Sequence, residues 1–385
     1  MRTSETRILT THAGSLPRPA HLAELHGRRS RGEFVDPDEM HRAVEEATAA
    51  SIAAQIEAGI DIGNDGEQAR ESFFTYVSHR MTGFGGTSER RLMADLRAHP
   101  DYLELALPQR QHAQVNLMRA RAGVGDVAYG DTKEVDAECA SVAGAGFLET
   151  FMTAASPGIV AAAMENRHYP TREEYLGAVA AALATEYRAI VGHGLLLQVD
   201  APDLALERHT LFADRSIEDF LVWVDLVVAA INGALSGIDR AAVRLHVCWG
   251  NYEGPHTEDV PLDDLLPRLY EANVGALVVS MANARHAHEF RCFARNPLPE
   301  HMALVAGVID TTSNYVEHPE VVADRLERVV EAVGDPTRVI AGTDCGFETT
   351  AGLGAVAPSV VWEKLRSLSA GARLASARLF AASAE

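Results

Sequence analysis

Cysteine is scarce in this 385-residue chain: there are four, none at a paired spacing. That argues against a disulfide framework and points to a reducing, cytoplasmic setting. Basic residues are also few. The 34 Lys and Arg stand against 54 Asp and Glu, a net charge of −20, which argues against nucleic acid or an anionic membrane surface as the main partner. The opening MRTSETRILTT has no apolar signal core, and no apolar run reaches the ~20 residues that span a bilayer. No GxGxxG follows the first strand-like run, so an open dinucleotide-binding sheet has little support. There is no internal repeat. Only 6% of residues are aromatic, yet 47% are apolar, enough for a large core.

What is present is an alternation of apolar strand-like runs and helical stretches. The runs are Ile8 to His12, GIDIG, FLETFMTAA, LLLQVD, residues 243–248, ALVVSMAN, MALVAGVID and TRVIAGTD. Between them lie helical patterns at 37–58, from 171 and from 216, then 261–272, 286–294, 319–333 and from about 358, with residues 89–122 helical in parts. Asp36 followed by Pro37 is a helix start. Near-continuous apolar strands alternating with helices mean a parallel sheet covered by helices. Eight such units predict an α/β fold of the (β/α)8 TIM-barrel type, one domain over 1–385. GVGDVAYGDTKEVDAE predicts a β-hairpin inserted on the rim, over 123–146.

A barrel keeps its active site at the C-terminal strand ends, and polar residues collect at those ends here. They are His12 and Ser15, Asn64, Asp65 and Glu67, Asp200, His246 and Cys248, Ser280 and Asn283, Asp310, and Asp344 and Cys345. His246 and Cys248 are two apart on one strand and so face the same side. With Cys345 from another strand end they make a candidate metal site of imidazole and two thiolates. Asp200 closes an apolar run, where a carboxylate must be paired or hydrated. Asp65, Asn283 and Asp310 are equally explained as turn residues. Trp249 and Phe347 offer an apolar wall for a substrate, or ordinary rim packing. Cys139 and Cys292 read as structural.

TTHAGSLPRP, IDIGNDGEQ, LQVDAPDLA, LHVCWGN, VAGVIDTTSNYVEHPE and GTDCGFET together resemble the cobalamin-independent methionine synthase superfamily. The resemblance is to the catalytic C-terminal barrel and to short single-barrel members, epoxyalkane:coenzyme M transferase among them. It implies zinc held by His246, Cys248 and Cys345, and an amino acid acceptor bound by Ser15, Glu67 and Asp200. His12, Trp249 and Asp310 join these as substrate-binding candidates, and Glu67 and Asp200 are the catalytic candidates. One position departs: Ser280 stands where methionine synthases place a glutamate ligand, with His286 and His288 nearby as substitutes.

The expected activity is zinc-dependent transfer of a methyl or other alkyl group to or from a small thiol such as homocysteine, through a zinc-bound thiolate. A carboxylate pair suits an ammonium group on that thiol. A sulfonate, as in coenzyme M, would need arginines, for which Arg18, Arg70 and Arg285 are candidates. The alternatives are an epoxide or alkyl transferase of the coenzyme M type, a metal-free uroporphyrinogen decarboxylase-like enzyme, and an idle thiol- or zinc-binding protein. A corrinoid protein as donor and a homo-oligomeric state are left open.

Overall fold

The computed structural model describes residues 1–106 and 114–380. Seven parallel strands form the main sheet in chain order: β1 (Ile62–Gly63), β2 (Glu149–Ala155), β3 (Leu196–Asp200), β4 (Val243–Val247), β5 (Ala276–Ser280), β6 (Ala303–Ile309) and β7 (Val339–Thr343). Helices alternate with them. The expected helix starts hold: Asp36 accepts from Asp38 N ahead of Pro37–Glu57, Thr171 caps Arg172–Gly192, and Ser216 caps Ile217–Ala234. Such caps satisfy amide donors that a helix end leaves open. Among the described residues no helix is long and apolar enough to cross a membrane.

Three sequence expectations need correction. Ile8 to His12 is not a strand with a ladder. Thr10 and Thr11 make single parallel bridges, to Ala341 on β7 and to Ile62 on β1. The segment thus touches both edges of the sheet. Thr11 N donates to Ala341 O, Ile62 N donates to Thr10 O, and Thr10 N turns instead to the Asp61 carboxylate. A side chain has taken the donor that would have extended the ladder. Second, residues 123–146 are not a rim hairpin. Lys133–Ser141 is a helix, burying Val135 and Cys139 with Val142 just beyond it, the i, i+4, i+7 face of a helix. Gly123 pairs elsewhere, Ala122–Gly123 running antiparallel to Phe84–Gly85. Third, the helix expected at 286–294 shrinks to a turn, Glu289–Arg291, and a short helix, Cys292–Arg295. In the stretch 89–122, Ala94–Ala98 and Pro100–Ala106 are helical, and 107–113 lie outside the described residues.

Every residue of β3 to β7 is buried. The alternation in β4 therefore separates two interiors rather than core from solvent. Leu9, Ile62, Phe151, Leu196, Val278, Val305 and Ile340 form an apolar cluster of their own. The Arg244 guanidinium lies 3.6 Å from the Phe151 ring centre, a cation–π contact, and donates to Thr11 Oγ1 and His12 O. Two residues further along the same strands, on the same face, stand Thr153, Gln198, His246, Ser280, Gly307 and Gly342. An apolar floor thus carries a polar layer above it.

One side chain ties this layer to the turn after β7. The Asp344 carboxylate accepts from the backbone N–H groups of Met281, Ala282 and Asn283, each at 2.8 Å, and from Asn283 Nδ2 at 2.9 Å. Burial pushes its pKa up to about 6 against these donors, which leaves it ionised at neutral pH. Gly307 makes room, since a Cβ there would fall 2.6 Å from Asp344 Oδ1. Asp344→Ala should orphan several buried donors and lower stability by at least about 3 kcal/mol, read as a shift of the urea unfolding midpoint. An unchanged midpoint would mean that the carboxylate does not hold this turn.

Candidate metal centre

Cys248 lies one residue past β4, so it continues the strand's period and faces the same way as His246. Cys345 lies two residues past β7, in the turn held by Asp344. Donor atoms of His246, Cys248 and Cys345 lie within 4.8 Å of one another, and all three residues are buried. Asn251 joins the two sulfur-bearing loops. Its Nδ2 donates to Gly346 O at 2.7 Å and its Oδ1 accepts from Thr311 at 2.9 Å.

The imidazole is oriented by its neighbour. Asp200 and His246 face each other across β3 and β4, and Asp200 Oδ1 stands 3.1 Å from His246 Nδ1. The same oxygen accepts from Gln198 Nε2 at 2.7 Å, which leaves Oδ2 as the oxygen these bonds do not use. With Nδ1 held by Asp200, Nε2, which stands 3.3 Å from Asp344 O, is the ring nitrogen that would turn to a metal. A carboxylate behind a ligating histidine is the usual way to fix its tautomer.

The electrostatics of the donor set fit a cation. The Cys345 thiol beside it, with His246, holds Cys248 well below the ordinary thiol range, while Cys248 pushes Cys345 well above it. His246 is driven up to about 10, burial being outweighed by Cys248 and Asp200. One thiolate forms and the second cannot, because two adjacent buried anions repel. A divalent ion would let both ionise and would leave one tetrahedral position open. Ser280 Oγ is 4.0 Å from Cys345 Sγ but donates to Asp344 O at 2.8 Å. His286 and His288 do not stand in for the absent glutamate. His286 is turned to Asp259, 2.8 Å away, and His288 is exposed.

The remaining predicted residues divide. Glu67 is buried, with a left-handed backbone (φ +57°) fixed by the Asp65 carboxylate on its N–H. Its Oε1 accepts from Thr153 Oγ1 at 3.0 Å, and Oε2 has no partner among the described residues. Gly14, at φ +129°, gives it space: a Cβ there would fall 2.6 Å from Oε1. Burial and then the Asp200 charge push Glu67 up to about 7. Ser15 packs its hydroxyl against Gly346, next to Cys345, and its carbonyl accepts from Phe347 N.

His12 is occupied behind that loop, with Nε2 2.8 Å from Gln55 Oε1 and Nδ1 accepting from Gly14 N. Burial lowers it to about 4, so it is neutral and shapes the Gly14 turn. Trp249 is buried, bonded to Val260 O and stacked on His286 at 3.8 Å. Asp310 caps its own turn, accepting from Thr312 N and Oγ1. Arg18 and Arg70 are committed, Arg18 to the carbonyls of Glu67, Arg70 and Glu348 and Arg70 to Glu138 and Thr153. Sequence reasoning missed Gln55, Gln198 and Asn251, for which no pattern pointed inward, and the clasp made by Asp344.

A family model described as "Cobalamin-independent synthase, Catalytic domain" matches residues 8–98 and 121–360. Among curated proteins, the methionine synthase of Sulfolobus acidocaldarius is 24% identical over 347 residues, covering 89% of this chain and 86% of that protein. The 2-hydroxypropyl-CoM lyase of Xanthobacter autotrophicus is 24% identical over 374 residues, covering 90% and 91%. Among solved structures, a B12-independent methionine synthase from Shewanella sp. W3-18-1 superposes with a TM-score of 0.73 at 20% identity, over 97% of this chain and 99% of that one. The strand-end motifs and the fold agree with the family match: the chain belongs to the cobalamin-independent synthase catalytic-domain family.

Proposed function

We propose that this protein is a zinc-dependent enzyme that alkylates a small amino-acid thiol, with homocysteine the acceptor the site suits best and methyl the default group. The observation that carries the reading is the meeting of one imidazole and two thiols at His246, Cys248 and Cys345. In the reaction class a carbon–sulfur bond forms, the donor's bond to that carbon breaks with its electron pair, and the thiol proton is released. Zinc, when bound, supplies a thiolate at neutral pH from a thiol that binds it.

The chain's own residues do the rest. Asp200 Oδ1 holds His246, and its other oxygen, with the unpartnered Oε2 of Glu67, offers negative charge to an ammonium group. Ser15 stands beside Gly346 for the acceptor's polar end. Arg18 and Arg70 are committed to backbone carbonyls and Glu138, and Arg285 is exposed, which disfavours a sulfonate acceptor. A metal-free decarboxylase would give the two converging thiols no purpose. We read the sheet and the 10–11 segment as a closed (β/α)8 barrel in one domain, acting in the cytoplasm.

The direct test is thioether formation from homocysteine and a panel of methyl and alkyl donors. Cys345→Ser should abolish turnover and lower zinc content; full activity in that variant would remove the site from the mechanism. Asp200→Asn should weaken zinc by about 10- to 100-fold, as loss of an orienting partner does, besides raising the KM for the acceptor. Glu67 adds a pH test. As an acid raised to about 7, it is neutral below that pH and charged above it. KM for homocysteine should therefore fall as pH rises through about 7, and Glu67→Gln should flatten this limb and raise KM by roughly 10- to 100-fold at pH 8. 2-Mercaptoethanesulfonate, which lacks an amine, should show no such limb; the same limb with both thiols would exclude the ammonium role.

A further inference from the structure

Away from the sulfur site, three histidines converge on one buried carboxylate. His256 Nδ1 and His286 Nε2 each stand 2.8 Å from Asp259 Oδ2, and donor atoms of these three residues lie within 4.8 Å of one another. His209, from the turn Leu206–His209, approaches the carboxylate's other oxygen, with Nδ1 3.3 Å from Oδ1.

Hydrogen bonding accounts for only one side of this cluster: Asp259 Oδ2 is bonded to His256 and His286, and His256 Nε2 to Tyr252 O at 3.0 Å. His209 is 1% exposed, yet among the described residues neither of its ring nitrogens has a hydrogen-bond partner. The Asp259 Oδ1 that it faces has none either, nor does His286 Nδ1. A bonded network would aim an N–H at the oxygen; here an imidazole and a carboxylate oxygen face each other with no bond made. Buried polar groups left so are rare and costly. Imidazole nitrogen and carboxylate oxygen are the donor set of divalent first-row ions. A cleft of about 140 Å³, lined in part by Asp259, His286 and His288, gives access from outside.

We propose that His209, His256, Asp259 and His286 bind a second divalent transition-metal ion, separate from the sulfur site. It would be a structural ion for the loop after β4. Trp249, next to the ligand candidate Cys248, stacks on His286 at 3.8 Å. The Tyr252 hydroxyl and His256 N both donate to Asp95 Oδ2, from the helix Ala94–Ala98. An ion at Asp259 would clamp this loop to the 206–209 turn and to residue 286.

The test is zinc content per chain after purification in excess zinc and desalting. Wild type should hold two. The Cys248→Ser/Cys345→Ser protein should keep one, with nitrogen and oxygen but no sulfur neighbours by X-ray absorption. The His209→Leu/His286→Leu protein should also keep one, ligated by sulfur. Should a variant fail to fold, cobalt titration of wild type decides: two equivalents, only one giving a sulfur-to-cobalt charge-transfer band, support the site. One zinc in wild type and none in the double-serine protein would overturn it. One zinc that the double-serine protein keeps would support this site and remove the sulfur site instead.

Discussion

Two buried sulfurs within reach of each other cannot both be thiolates unless a cation stands near them. That constraint organises the upper half of this molecule. Cys248 and Cys345 come from strands that are not neighbours, β4 and β7, so the fold has to carry them together. It does so by the period of β4, which sets Cys248 above His246, and by the turn after β7, which Asp344 locks to the end of β5. Asn251 then crosses from one sulfur loop to the other.

The floor beneath matters as much as the donors. The apolar plug of Leu9, Phe151, Leu196, Val278, Val305 and Ile340 fills the lower interior, and Arg244 stacks on Phe151 within it. The layer above is polar, and its members hold each other: Gln198 to Asp200, Asp200 to His246, Thr153 to Glu67. A side chain fixed by such partners keeps its rotamer when a substrate arrives. The network explains why Glu67 tolerates a left-handed backbone. Asp65 and Arg18 hold the turn, and the result is a carboxylate oxygen with no hydrogen-bond partner among the described residues, under the influence of the Asp200 charge.

The sulfur site was legible in the sequence because it depends on short-range rules. His246 and Cys248 are two apart on an apolar strand, and Cys345 follows the last strand directly. Both strand-end positions can be read locally; that they meet cannot, because β4 and β7 are not neighbours. The seven strands of the sheet were legible for the same reason. The Ile8 to His12 strand was not, because Asp61, a distant residue, takes the Thr10 amide. The hairpin expectation failed because Gly123, Gly125 and Gly130 suggested turns, while the helical burial of Val135, Cys139 and Val142 decided the outcome. Asp344 looked like one more rim carboxylate. Its role depends on amides 61 to 63 residues away in sequence, which no local pattern exposes. His12 and Trp249 sat at the correct rim but are spent on Gln55 and His286; position alone does not tell a substrate contact from a support.

The measurement that bears most directly on the central claim is X-ray absorption at the zinc edge, with sulfur neighbours counted per chain before and after homocysteine is added. The account predicts two sulfurs, from Cys248 and Cys345, rising to three with the thiol. A zinc-replete protein with no sulfur neighbours, or with two that do not change at saturating homocysteine, would contradict it.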